Sequence, residues 1–113
     1  MHELSIAMSI VDIARDAVEK AGAREVEHIE LEIGQLAGIE LPALDFAWSE
    51  AVPDSVLARA TREIRHIPGE ARCMECQTTF PIQALYESCP TCSSPFTDII
   101  HGKELRVHAL TVH

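Results

Sequence analysis

The chain has 113 residues, 47% of them hydrophobic, and a formal charge of −9 from 18 acidic and 9 basic residues. That length supports one domain or one and a half, with a core small enough that a bound metal would be a useful cross-link. The acidic balance argues against nucleic acid and anionic membranes as partners, since both require clustered cations, and suits a protein that meets basic surfaces or handles metal cations.

The opening residues, MHELSIAMSI, have no basic segment ahead of an apolar run, and Asp12 and Arg15 soon interrupt them. No secretory leader or membrane span is expected, so the reading is a cytoplasmic chain with reduced thiols. Residues 4–21 read as an amphipathic helix. Leu4, Met8, Val11 and Val18, flanked by Ile6, Ile10 and Ile13, predict a wide apolar face. Ser5, Ser9, Asp12, Asp16 and Glu19 form the wet stripe, and Gly22 after Lys20 is a stop signal.

Val26 to Ile33 alternates, with Ile29, Leu31 and Ile33 on one face and His28, Glu30 and Glu32 on the other. This predicts a half-buried strand whose acidic residues, Glu27 included, make a solvated edge or a docking surface. Gly34 and Gly38 bracket a loop, and Pro42 suits the first turn of a second helix carrying Leu44, Ala47, Trp48 and Ala51 on one side. Phe46 and Trp48 are expected in the core beneath it. A second strand is expected over residues 56–67, with Ala58, Ala60 and Ile64 inward and Arg62 awkwardly in the same register.

Pro68-Gly69 marks a boundary, and the cysteine-bearing segment follows it. Cys73-x-x-Cys76 and Cys89-x-x-Cys92 are separated by 12 residues, room for a short hairpin in which FPIQALY is strand-like. Two such turns facing each other supply four thiolates in tetrahedral geometry, a closed set that leaves no position for substrate. The expected ion is a structural zinc; iron uses the same four thiolates, while paired disulfides need an oxidising compartment and a redox pair normally occurs once. Phe80, Tyr86 and Phe96 are expected to pack this small module. The closing run LRVHALTV reads as a strand that returns to the sheet of residues 26–34. The fold class is therefore α+β: a small sheet with two helices, plus an inserted zinc-ribbon-like domain built on the four cysteines.

Met1-His2-Glu3 is a second constellation. A histidine in position two can offer its imidazole, its backbone amide nitrogen and the α-amine of Met1 to one ion in a plane, an arrangement that nickel(II) and copper(II) favour. Glu3 can add a further atom. The plain reading of the same residues is a solvated chain end.

Taken with these motifs, the chain resembles the HypA/HybF family of hydrogenase nickel-insertion accessory proteins over its whole length. The opening MHELSIAMSIVDIA, the segment LEIGQLAGIE at 31–40, Pro42 to Trp48, the cysteine pattern and the closing GKELRVHALTV occur in that family's order. The resemblance implies a nickel-binding α+β domain formed by residues 1–68 and 102–113, and a zinc-binding domain at 69–101. It implies no enzyme activity, but a nickel metallochaperone that delivers Ni(II) as cargo to the large subunit of [NiFe]-hydrogenases with a GTPase partner, and in some relatives serves urease maturation. Carried over by residue, His2 is the nickel ligand, Met1 and Glu3 assist through main-chain nitrogen, and Glu40 stands near that site. Cys73, Cys76, Cys89 and Cys92 match the zinc ligands. Arg62 and Pro53-Asp54 depart from the family's pattern.

The competing reading is a zinc-ribbon interaction module that binds nucleic acid or a protein complex. It calls for a basic stripe, yet Arg72 is the lone Lys or Arg among residues 69–101. His28, His66, His108 and His113 read as satisfied or solvent-facing, and His101 as a hinge residue or a further metal contact. No nucleophile–base pair or phosphate loop is present to support catalysis.

Overall fold

The computed structural model describes residues 2–113. In chain order the elements are α1 (Glu3–Ala21), β1 (Val26–Gly34), α2 (Leu41–Ala51), β2 (Thr61–Ile67), β3 (Glu70–Cys73), β4 (Thr79–Pro81), β5 (Thr97–His101) and β6 (Leu105–Val112). The strands form two three-stranded sheets, ordered β2-β1-β6 and β4-β3-β5. The chain's last strand therefore lies beside β1, as its composition predicts. Two compact units result, one of Met1–Leu31, Ile39–Ile64 and Val107–His113, the other of Glu32–Gly38 and Arg65–Arg106.

In the first unit, α1 ends at Gly22, whose φ of 65° lets its amide and that of Ala23 turn back to the Glu19 and Val18 carbonyls. The buried stripe of α1 is Glu3, Ala7, Ile10, Ala14 and Val18, whereas Leu4, Met8 and Ile13 are exposed. The expected apolar face is thus rotated. The helix packs on α2, and Leu4, Met8 and Val11 line a surface cleft with Glu50 and Ala51 of that helix.

Pro42 lies in the first turn of α2, and the Glu40 carbonyl accepts the Leu44 amide at 2.9 Å. Leu44 and Ala47 are buried, but Phe46 is 68% exposed, so it does not belong to the core beneath the helix. Trp48 is half-buried, with the Arg62 guanidinium 5.1 Å from its ring centroid and bonded to Asp45 at 2.6 Å. That stacking explains how Arg62 occupies an apolar register: its flat cation covers the indole while its charge meets a carboxylate. The expected strand at 56–67 begins only at Thr61, because residues 53–59 form consecutive turns and Leu57, not Ala58 or Ala60, fills the core.

In the second unit, β3 is the central strand and pairs antiparallel with both β4 and β5. Ala71, Cys73, Phe80, Ile82 and Cys89 make its core, with Leu36 and Ile99 against them. Tyr86 and Phe96, expected in that core, are 93% and 64% exposed. Two glycines meet closely: a Cβ on Gly34 would stand 2.0 Å from the Gly102 carbonyl oxygen. Glu32 is a further departure, buried at 5% exposure and held by Arg65 and Arg106 instead of lining a solvated edge.

Candidate metal centres

The two Cys-x-x-Cys turns are built alike. In the first, the Cys73 amide donates to the Thr78 carbonyl at 2.9 Å and the Gln77 amide to the Cys73 carbonyl at 3.1 Å. In the second, Cys89 donates to Ser94 at 2.9 Å and Ser93 to Cys89 at 2.8 Å. Each turn closes through a left-handed residue, Gln77 at φ 66° or Ser93 at φ 64°. A side chain in that region costs about 1 kcal/mol, so the geometry needs compensation. The amides supply part of it: Glu75 and Cys76 point at the Cys73 sulfur and Thr91 at the Cys89 sulfur, all at 3.4 Å. In each turn the left-handed residue is the first of a polar pair after the second cysteine, Gln77-Thr78 and Ser93-Ser94.

All four cysteines are free thiols and their sulfurs lie within 4.8 Å of one another. A tetrahedral ion with metal–sulfur bonds of ~2.3 Å sets its sulfurs ~3.8 Å apart. Cys73 and Cys92 Sγ are 3.5 Å apart and Cys76 and Cys89 Sγ 3.6 Å, so the donor set fits such an ion with little adjustment. Cys73 and Cys89 are buried, while Cys76 and Cys92 face solvent. The ion would therefore be bound from both the core side and the surface side of the unit.

The packed sulfurs divide their protons unevenly. The Thr78 hydroxyl and amide, helped by Cys89 and Cys73, bring the Cys76 thiol down to about 6 against the opposing effect of burial. At Cys92 the Ser94 amide favours the thiolate, but the Cys73 sulfur, burial and the other two sulfurs overcome it and push the thiol up to about 12. Each thiolate formed discourages the next, so a divalent cation is what lets all four ionise together.

At the other candidate centre, His2 is exposed immediately ahead of α1, and its Nε2 lies 3.9 Å from Glu3 Oε2. The Glu3 side chain is almost wholly buried in the helix's first turn. Burial opposes its charge, yet hydrogen bonds from its own amide and the Glu40 amide, with the nearby His2, hold its carboxyl below the ordinary value. That contact brings the start of α1 to the start of α2, so His2, Glu3 and the Glu40 main chain share one locale while the Glu40 side chain is exposed. The structural part played by the Glu3 carboxylate was not legible in the sequence, where Glu3 looked like an exposed terminal residue. Met1 lies outside the described residues.

Three of the remaining histidines have partners other than a metal cluster. His28 meets Thr61 at 2.6 Å and Glu63 at 3.7 Å, His113 meets Glu27 at 3.5 Å, and His101 Nδ1 meets Glu104 at 3.1 Å. Among the described residues, the four cysteines are the one group of three or more potential ligands gathered closely enough to hold an ion. No helix among these residues is long and apolar enough to cross a membrane.

Residues 1–112 match the family model described as "Hydrogenase/urease nickel incorporation, metallochaperone, hypA". The hydrogenase maturation factor HypA of Parabacteroides distasonis is 48% identical over 113 residues, covering 99% of this chain and 97% of that protein. HypA of Geotalea daltonii is 42% identical over 112 residues, covering 99% of each. The solution structure of the Ni metallochaperone HypA from Helicobacter pylori superposes with a TM-score of 0.72 at 26% identity, covering 99% of this chain and 97% of that one. A second HypA solution structure gives 0.76 at the same 26% identity, covering 100% and 97%.

Proposed function

This chain belongs to the HypA family of hydrogenase maturation factors, and we propose that it binds Ni(II) at its N-terminus and helps insert it into the large subunit of a [NiFe]-hydrogenase. The observation that carries this reading is the exposed His2 imidazole at the mouth of α1, beside the Glu3 carboxylate and the first turn of α2. Nickel(II) takes nitrogen donors in a plane, and His2 offers imidazole and amide nitrogen one residue from the Met1 α-amine. The Glu3 main-chain nitrogen is a further donor; using it would give up the hydrogen bond that this amide makes to its own carboxylate. Glu40 contributes its amide to Glu3 and an exposed carboxylate nearby.

The nickel-handling domain comprises residues 1–68 and 102–113, and residues 69–101 form the zinc-binding domain. Cys73, Cys76, Cys89 and Cys92 hold Zn(II), which cross-links the two turns and leaves no coordination position for chemistry. The protein is thus a carrier and not an enzyme. It acts in the cytoplasm with a GTPase maturation partner and the hydrogenase large subunit, and the family description extends the same role to urease maturation. The charge of −9 and the scarcity of cations in the zinc segment favour protein partners over nucleic acid or membrane.

Native mass spectrometry of untagged protein with added nickel tests this. Wild type should carry one zinc and acquire nickel, whereas His2→Ala should keep zinc and lose nickel. Undiminished nickel on His2→Ala would overturn the assignment.

A further inference from the structure

The cysteine-bearing unit carries large apolar side chains that neither its core nor its metal site uses. Tyr86 is 93% exposed and Leu85 43%. With Pro95 and Ile99 they line a groove of about 530 Å³ alongside β5. Their exposure is built into the fold. The Glu87 carboxylate accepts the Gln83 and Ala84 amides at 2.6 and 2.8 Å, which fixes the loop as a turn with Leu85 and Tyr86 at its tip. The Thr97 hydroxyl donates to the Glu87 carbonyl at 3.3 Å, tying that turn to β5.

β5 is itself an edge. It pairs with β3 on one side and with no strand on the other among the described residues. Proteins commonly protect such an edge with charge, Pro or a bulge; Thr97–His101 has no Lys or Pro, though it carries Asp98 and a register shift near His101. An open edge beside fixed apolar side chains is the arrangement by which extended peptides are captured: the ladder supplies affinity and the groove selects alternate side chains. Charge selects further. The groove's own lining holds Glu87 and Asp98 against Lys103, in a chain of net charge −9, so the surface favours a basic strand. A second copy of this chain, itself at −9, suits it poorly.

We infer that an extended segment of a partner protein, apolar at alternate positions with Lys or Arg between them, adds as a strand to the free edge of β5 and packs on Leu85, Tyr86 and Ile99. This surface acts independently of nickel. The test uses zinc-loaded full-length protein and a capped peptide of about ten residues, strand length, alternating Lys with Val or Thr. A glutamate-for-lysine counterpart and a backbone N-methylated version serve as comparisons. Backbone NMR shifts should saturate at residues 85–86 and 97–101 with the lysine peptide. Tyr86→Ala should weaken binding at least ~10-fold, and both comparison peptides should lose it. Phe96→Ala, which removes an exposed ring outside the groove, should leave it unchanged. The inference is overturned by equal binding of either comparison peptide, by shifts elsewhere, or by equal loss in both alanine variants. It is also overturned if no saturation occurs by about 1 mM, or if the protein self-associates through this face and Tyr86→Ala abolishes that association.

Discussion

Glu32 divides its carboxylate between two strands' arginines: Oε2 meets Arg65 Nη1 at 3.2 Å, and Oε1 meets Arg106 Nε. The side chain is 6% exposed, while those of Arg65 and Arg106 are 46% and 64% exposed. The charges are therefore unequal in their need for one another, because water can solvate the arginines but scarcely reaches the carboxylate. Arg65→Ala or Arg106→Ala alone should cost about 1 kcal/mol, and the double variant about 3 kcal/mol or more, exceeding the sum of the singles. Urea unfolding of the four proteins in the cycle measures this.

Gly34 and Gly38 make a sharper contrast. A Cβ at Gly34 would sit 2.0 Å from the Gly102 carbonyl, a clash with backbone that no rotamer relieves. At Gly38 the surroundings are open and only the φ of +76° opposes a side chain. Gly34→Ala should destabilise by about 3 kcal/mol or more, and Gly38→Ala by about 1 kcal/mol. Thermal unfolding compares the pair directly.

A pH dependence follows from Glu104. Burial raises its carboxyl, but its own amide, the Gly102 amide at 2.7 Å and the His101 ring together hold it below the ordinary glutamate value of 4.5. A depressed acid stabilises the folded state above its unfolded value, and that contribution disappears as pH falls through the folded value. Glu104→Gln should therefore lose about 1–2 kcal/mol near neutral pH. The gap from wild type should close as both proteins are taken below 4.5. Denaturant midpoints across that range report it.

Removing the zinc proposed for the four cysteines should unfold the module around them. The unit's core includes Cys73 and Cys89 themselves, so the ligands are also packing residues. Metal binding free energy is folding free energy in such small modules. Strong chelation should abolish hydrogen-exchange protection across residues 69–101 while α1 and α2 stay protected. Full protection after confirmed metal loss would contradict a structural role.

The features legible in the sequence were those written in short-range spacing. The paired Cys-x-x-Cys turns, the Gly22 stop, Pro42 at the head of α2 and the closing strand beside β1 all follow from local rules. What escaped was decided by partners far along the chain. On α1 the small Ala7 and Ala14 are buried while the larger Leu4 and Met8 stay exposed, which the helix's own periodicity does not reveal. Glu32 alternates like a solvated residue, and its pairing with Arg65 and Arg106 helps make its burial tolerable. Arg62 looked misplaced until Trp48 and Asp45 stood beside it. Tyr86 and Phe96 look like core by composition, but Phe80 and Ile82 with two cysteines already fill that core.

The central claim is that nickel is bound through the chain's own N-terminus, with His2 and the Met1 α-amine acting together. Isothermal titration with nickel on untagged protein, on protein carrying an N-terminal acetyl group, and on untagged His2→Ala tests it most directly. The acetyl group and the substitution should each weaken nickel binding, by at least ~10-fold and to a similar extent, while zinc stays bound. Equal nickel affinity in the acetylated and untagged proteins would contradict the account.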